Sequence, residues 1–176
     1  AVATTQGLVV DGLINISASP FQRGKEKLRK GIFQRLCSSY QVPFLYCNQI
    51  GGQDSLLFDG HSLVMDRTGA ITAQAHGFCE DMIIVDSAGW QGEMHGPADI
   101  SAQEAVYKGL VMGVNDYLHK CQFTSAVLGL SGGIDSAVTA AIAVDALGPE
   151  NVLGVALPSP YSSAESLEDA QQLVAN

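Results

Sequence analysis

Residues 130–136, Leu-Ser-Gly-Gly-Ile-Asp-Ser, set two hydroxyls, two adjacent glycines and a carboxylate within seven positions. They lie between an apolar β-prone run, Phe123 to Leu130, and a small-residue helical pattern, Asp135 to Leu147. Paired glycines let a backbone turn tightly and come close to a ligand. Ser131 and Ser136 add hydroxyl donors, and the helix that follows aims its first amides and the positive end of its dipole into the loop. That is chemistry for a phosphate. A carboxylate there is out of place unless a magnesium ion stands between it and the anion, so Asp135 is expected to be a metal ligand. No GxxxxGK[ST] occurs, so this is not a Walker A loop.

The elements around the loop follow from pattern. Ser101-Ala-Gln-Glu104 has capping-box spacing ahead of a helix striped by Val106, Leu110, Val114, Tyr117 and Leu118. Val152 to Leu157 reads as a second strand, and Ser162 with Glu165 repeats the capping spacing before a last helix. Strand, helix, strand, helix predicts a parallel sheet with crossovers, with the ligand crevice at the carboxyl ends of the strands.

The first half reads differently. Leu8 to Ser17 is β-prone, and Gly24 to Tyr40 is helical, with Leu28, Ile32, Leu36 and Tyr40 every fourth residue beside Phe33. Lys25, Lys27, Arg29, Lys30 and Arg35 crowd that helix and read as a solvated outer face. Pro43 to Ile50 reads as a strand stopped by Gly51-Gly52. Phe58 to Met65, Ala70 to Phe78 and Asp81 to Asp86 read as an antiparallel meander turning at Asp66-Arg67-Thr68-Gly69. Residues 87–100, rich in glycine and without periodicity, read as a linker in which Trp90 is a packing anchor. The expected fold class is α/β, with domains over 1–88 and 101–176 and a linker over 89–100.

Composition bounds the function. The 176 residues are 47% hydrophobic and 15% charged, enough to bury a core and too little charge for a solvated coil. No apolar run approaches a membrane span and no basic segment precedes an apolar one at the start, so neither a membrane partner nor a signal peptide is expected. Ala1 in place of Met, with a strand pattern close behind it, suggests a missing upstream part. A net charge of −9 argues against nucleic acid, while amide-held nucleotides remain open. Cys37, Cys47, Cys79 and Cys121 form no CxxC, which suits a reducing, cytoplasmic setting. His61, His76, His95 and His119 are dispersed, with no HxH or HExxH, so spacing gives them no metal role.

SGGIDS as it stands resembles the pyrophosphatase loop of the adenylating ATP-pyrophosphatases, and Val155-Ala-Leu-Pro158 with Ser166-Leu-Glu-Asp169-Ala looks like the NAD synthetase version. Asn15-Ile-Ser-Ala-Ser19-Pro20-Phe21-Gln-Arg-Gly24-Lys25, Asn48-Gln-Ile-Gly51-Gly52-Gln53-Asp54 and Phe58-Asp59-Gly60-His-Ser62 resemble the nitrilase-type glutaminase domain of the glutamine-dependent NAD synthetases. Together the matches cover nearly the whole chain. The resemblance implies a partial nitrilase-like αββα sandwich followed by a partial Rossmann-like ATP-pyrophosphatase domain of the adenine nucleotide α-hydrolase type. It implies ATP and Mg²⁺ as cofactors, with ATP, glutamine and deamido-NAD as small-molecule substrates. It also implies amidation of deamido-NAD through an adenylated intermediate with release of AMP and pyrophosphate, in a homo-oligomer.

By that resemblance Gly129, Leu130, Ser131, Gly132, Gly133, Ile134, Asp135 and Ser136 would hold the ATP phosphates, Asp135 the metal, and Leu157 the adenosine. Ser19 and Lys25 would bind glutamine, with Phe21 walling the pocket. The family's catalytic Glu, Lys and Cys precede the NxSASPF segment, so no catalytic glutaminase residue is expected in this chain and the chain alone is expected to be inactive. Cys79, in Cys79-Glu80-Asp81, reads as an ordinary, mostly buried cysteine. Two alternatives stay open: another ATP-pyrophosphatase amidoligase, and a non-catalytic nucleotide-binding paralogue.

Overall fold

The computed structural model describes residues 10–97, 100–156 and 164–175; Leu157 and Ser162 lie outside the described residues. The chain divides into two compact units, Ala1–Gly51 with Ser55–Val106, and Gly52–Asp54 with Tyr107–Asn176.

The first unit is built on β1 (Leu13–Ser17), α1 (Lys25–Tyr40) and β2 (Phe44–Asn48), followed by β3 (Ile50–Gln53), β4 (Leu56–Asp59), β5 (Leu63–Met65) and β6 (Ile71–Gln74). Four strands form one sheet in the order β1-β2-β5-β6. β1 and β2 are parallel, as a strand–helix–strand crossover requires. The pairs β2–β5 and β5–β6 are antiparallel, in keeping with the predicted meander. Side chains alternate between faces, so Phe44, Tyr46, Leu63 and Met65 share a core with Phe33 and Cys37 of α1. The Phe33 ring lies 4.6 Å from that of Phe44 and 4.7 Å from that of Tyr46. At the predicted turn Asp66 Oδ1 accepts the amides of Thr68 and Ala70 at 2.8 and 3.0 Å.

Several boundaries and faces depart from the sequence reading. The buried face of α1 is Arg29, Phe33 and Cys37, whereas Leu28, Ile32 and Tyr40 are exposed. A stripe shifted by one residue keeps the same four-residue period, so periodicity alone does not separate the two. Gly51 and Gly52 do not stop a strand; they lie inside β3, which pairs with β4. Phe58 to Met65 is not continuous either. Gly60 and His61 both take left-handed backbone angles, φ of 64° and 55°, and split it into β4 and β5. The stretch Asp81 to Asp86 contributes only β7 (Val85–Asp86), which pairs with β8 (Gln91–Gly92). Trp90 packs its ring on Gly12, where a Cβ would sit 3.0 Å from the indole.

The second unit begins inside α2 (Ala102–Lys120), at Tyr107, and carries β9 (Ala126–Leu130), α3 (Ile134–Leu147), β10 (Val152–Ala156) and α4 (Ala164–Ala175). Ser101 Oγ accepts the Glu104 amide at 3.1 Å, which is the predicted cap. Leu110 and Tyr117, predicted in the apolar stripe of α2, are exposed, and Gly109 and Met112 are the buried positions. β9 and β10 pair in parallel, Ala126 opposite Val152 through Leu130 opposite Ala156. The Leu130 side chain crosses the backbone of Gly154, where any Cβ would meet its Cδ1. Among the described residues no helix is long and apolar enough to cross a membrane.

Candidate functional site

The loop 131–133 leaves β9 at its carboxyl end and enters α3 through Gly133. Gly132 has φ of 77°, a conformation that favours glycine, and Gly133 is extended. Ser136, one turn into α3, closes the loop on itself. Its hydroxyl donates to the Gly133 carbonyl at 2.8 Å and accepts the Ser131 amide at 3.3 Å and the Ser131 hydroxyl at 3.2 Å. The Ser131 hydroxyl in turn accepts the Gly133 amide at 3.3 Å. The loop is therefore shaped by its own hydroxyls, and α3 has no side-chain cap on its N-terminus. Ile134 and Asp135 are exposed in the first turn of that helix.

A cavity of about 360 Å³ opens beside the loop, lined by Gly132, Gly133, Ile134 and Ala137 and by Asp169, Gln172 and Leu173 of α4. Of the predicted phosphate-site residues, Gly132, Gly133 and Ile134 line it. Ser131 and Ser136 hold the turn behind it, Leu130 is buried, and Gly129 sits on β9 with open space where a Cβ would be. The α4 contribution was not predicted as site. Its signal is the 169/172/173 spacing, which places three residues on one helical face. The residues present fit a magnesium nucleotide by donor type: free helix amides for anionic oxygen, and an exposed carboxylate, hard oxygen chemistry, at Asp135.

In the first unit, Ser19 and Lys25 flank the turn into α1. The Ser19 amide donates to Asn48 Oδ1 at 2.9 Å, and Asn48 Nδ2 donates to the Gly60 carbonyl at 3.0 Å, so Asn48 at the end of β2 ties this turn to the β4–β5 break. Lys25 Nζ donates to the Pro20 carbonyl at 3.0 Å. Arg29 is the unexpected member. Predicted on a solvated face, it is buried and forms a two-pronged bond to Asp59, 2.9 Å from Nη1 to Oδ1 and 2.5 Å from Nη2 to Oδ2. Nη1 also donates to Ser19 Oγ at 3.4 Å. A charge buried to this degree needs a paired partner, and the partner is 30 residues away in sequence. In the sequence that partner stands in the Phe58-Asp59-Gly60 segment.

Phe21 meets Phe78 edge to face at 5.4 Å, and Phe78 meets His61 at the same distance. His61 is 5% exposed with neither ring nitrogen hydrogen-bonded, its ring lying where a Cβ on Gly77 would be. Burial pushes its imidazole below the ordinary value. Glu26 and Asp59 oppose that shift, and Arg29 and Lys30 reinforce it. Cys79, expected to be mostly buried, is exposed; the buried cysteine is Cys37.

The strand–loop–helix–strand of the second unit and the sheet of the first define a mixed α/β protein that joins part of a nitrilase-like unit to part of an ATP-pyrophosphatase. Residues 106–176 match the family model described as NAD synthase. The glutamine-dependent NAD(+) synthetase of Synechocystis sp. is 46% identical over 95% of this chain, which covers 31% of that relative; the one from Rhodobacter capsulatus is 45% identical over 89%, covering 29%. A solved glutamine-dependent NAD+ synthetase from Acinetobacter baumannii, in complex with adenosine diphosphate, superposes with a TM-score of 0.84 at 41% identity. That alignment covers 92% of this chain and 31% of that one. Over most of its length the chain is similar to glutamine-dependent NAD(+) synthetases, and it spans about a third of the length of the curated relatives it matches.

Two outcomes follow from this geometry. Asp59→Ala leaves the Arg29 guanidinium buried and unpaired, and a urea titration is expected to show a loss of about 3–5 kcal/mol. For His61 the folded pKa lies below the unfolded value of about 6.5, so the unfolded chain binds more protons as pH falls. The stabilising effect of keeping it neutral is fully present above about pH 6.5. The urea midpoint is expected to fall as pH drops below that value, and His61→Asn, which tolerates the left-handed backbone, to flatten the fall.

Proposed function

We propose that this chain is part of a glutamine-hydrolysing NAD(+) synthase, an ATP-dependent carbon–nitrogen ligase, and that the β9–α3 loop holds the ATP phosphates. The observation that carries the reading is the self-closed turn Ser131–Ser136 at the uncapped start of α3, beside a cavity. The names of the matched relatives and the ADP-bound structure support it.

In this reading a carboxylate oxygen of deamido-NAD attacks the α-phosphorus of ATP, the α–β bridge breaks and pyrophosphate leaves. Ammonia, freed from glutamine by water with glutamate as the other product, then displaces AMP and leaves NAD. The charge that grows as pyrophosphate departs faces the amides of Gly132 and of Ile134 to Ser136, fixed in advance by the Ser131 and Ser136 hydroxyls. Asp135 would hold Mg²⁺, which supplies neutralisation of the phosphate oxygens. Gly129 and Leu130 shape the strand end, and Leu157, outside the described residues, is proposed for adenosine.

Ser19 and Lys25 are proposed for glutamine, the hydroxyl held by Arg29 and the ammonium beside the turn. We assign residues 1–88 to the glutaminase part, 89–100 to a linker and 101–176 to the synthetase part, in a cytoplasmic homo-oligomer.

In the full-length protein that carries this chain, Ser136→Ala is expected to cut ATP-dependent amidation about 10- to 100-fold, the effect of one or two lost hydrogen bonds, while glutamine hydrolysis persists. Unchanged amidation would remove the loop from the chemistry.

A further inference from the structure

Dispersed in sequence, His76 and His95 meet in the first unit across Asp81. Gln74, the buried last residue of β6, brings them together. Its amide donates to the Glu93 carbonyl at 3.0 Å, its carbonyl accepts the His95 amide at 2.8 Å, and its side chain donates to the Pro97 carbonyl at 2.8 Å. The approach is close enough that a Cβ on Gly96 would collide with the Ala75 carbonyl. Asp81 is fixed in the same way. Oδ2 accepts the His76 amide and Oδ1 the Met82 amide, both at 2.8 Å.

Three ligand atoms result. Nδ1 of His76 and Nδ1 of His95 each stand 3.0 Å from Asp81 Oδ2, and the donor atoms of all three residues lie within 4.8 Å of one another. Neighbouring ligands on a tetrahedral zinc with bonds of 2.0–2.2 Å lie about 3.3 Å apart, so the carboxylate–imidazole spacings need almost no change. The outer shell is present as well. His95 Nε2 sits 3.1 Å from Glu93 Oε2, the carboxylate–histidine arrangement that turns the other ring nitrogen toward a metal. Asp81 and Glu93 leave the cluster with two carboxylates against two imidazoles, and His76 and His95 are open to solvent for an ion to enter. Two imidazoles and one carboxylate suit a first-row divalent cation of the zinc class.

We propose that His76, Asp81 and His95 form a binding site for one divalent transition-metal cation, with Glu93 orienting His95, separate from the β9–α3 loop. The ion takes the place of the Nδ1 protons that now face Asp81, and those protons pass to solvent. A cation there would pin the exit of β6 to the segment after β8, a structural role with water in the remaining position.

The test is calorimetric titration of Zn²⁺ into the full chain after chelator treatment. One ion per chain is expected, with His76→Asn and His95→Asn each weakening binding at least about 10-fold. Glu93→Gln, at a side chain 60% exposed and so harmless to folding, is expected to weaken it by about 10-fold through His95 alone. His119→Asn and Cys79→Ser are expected to change nothing. Absence of stoichiometric binding, binding that survives both histidine changes, or binding that follows Cys79 would overturn the proposal.

Discussion

A strand that ends inside a folded unit leaves its last amides and carbonyls without ladder partners, and burial makes each orphan costly. Among the described residues, side chains complete the backbone bonding at three such ends, and two of those side chains, Asn48 and Gln74, are themselves buried. At the end of β9 the serine hydroxyls of 131 and 136 close the turn. At the end of β2 Asn48 takes the Ser19 amide and reaches the Gly60 carbonyl. At the end of β6 the Gln74 side chain reaches the Pro97 carbonyl, and Asp81 takes the His76 amide and meets the His95 ring after β8. Side chains recruited to satisfy backbone thus become the rigid frame on which exposed functional groups are displayed.

The Arg29–Asp59 pair is the most demanding example. Removing two charges from water costs several kcal/mol each, and the attraction with its two parallel hydrogen bonds roughly offsets that. Its contribution is therefore position rather than net stability. It fixes α1 against the β4–β5 break and holds the Ser19 hydroxyl at one spot. His61 is held beside it with neither ring nitrogen hydrogen-bonded, kept neutral by burial against Phe78 and Gly77. The same tightness sets the geometry of the turn carrying Ser19 and Lys25.

How legible each feature was depends on the range of the interaction behind it. The SGGIDS loop was legible because its turn, hydroxyls and helix start lie within six residues. The Ser101 cap and the Asp66 turn were legible for the same reason. The extent of α1 was legible, but its buried face was not. Arg29, Phe33 and Cys37 repeat with the same period as Leu28, Ile32 and Leu36, and the partner that makes burial of Arg29 tolerable is Asp59, on another element. The break at Gly60–His61 was hidden because a histidine rarely adopts a left-handed backbone. His76 and His95 are 19 residues apart, outside any ligand-spacing pattern, and the pairing of Gln74 with the chain after β8, with Asp81 between the two rings, joins them.

We propose phosphate binding by backbone amides at the β9–α3 turn of a chain whose net charge is −9. The most direct measurement is an amide nitrogen–proton NMR titration of the chain with magnesium ATP. Saturable shifts are expected at the amides of Gly132 to Ser136 and at the α4 face of Asp169, Gln172 and Leu173, abolished by Ser136→Ala. Shifts confined to other residues, or none at these, would contradict it.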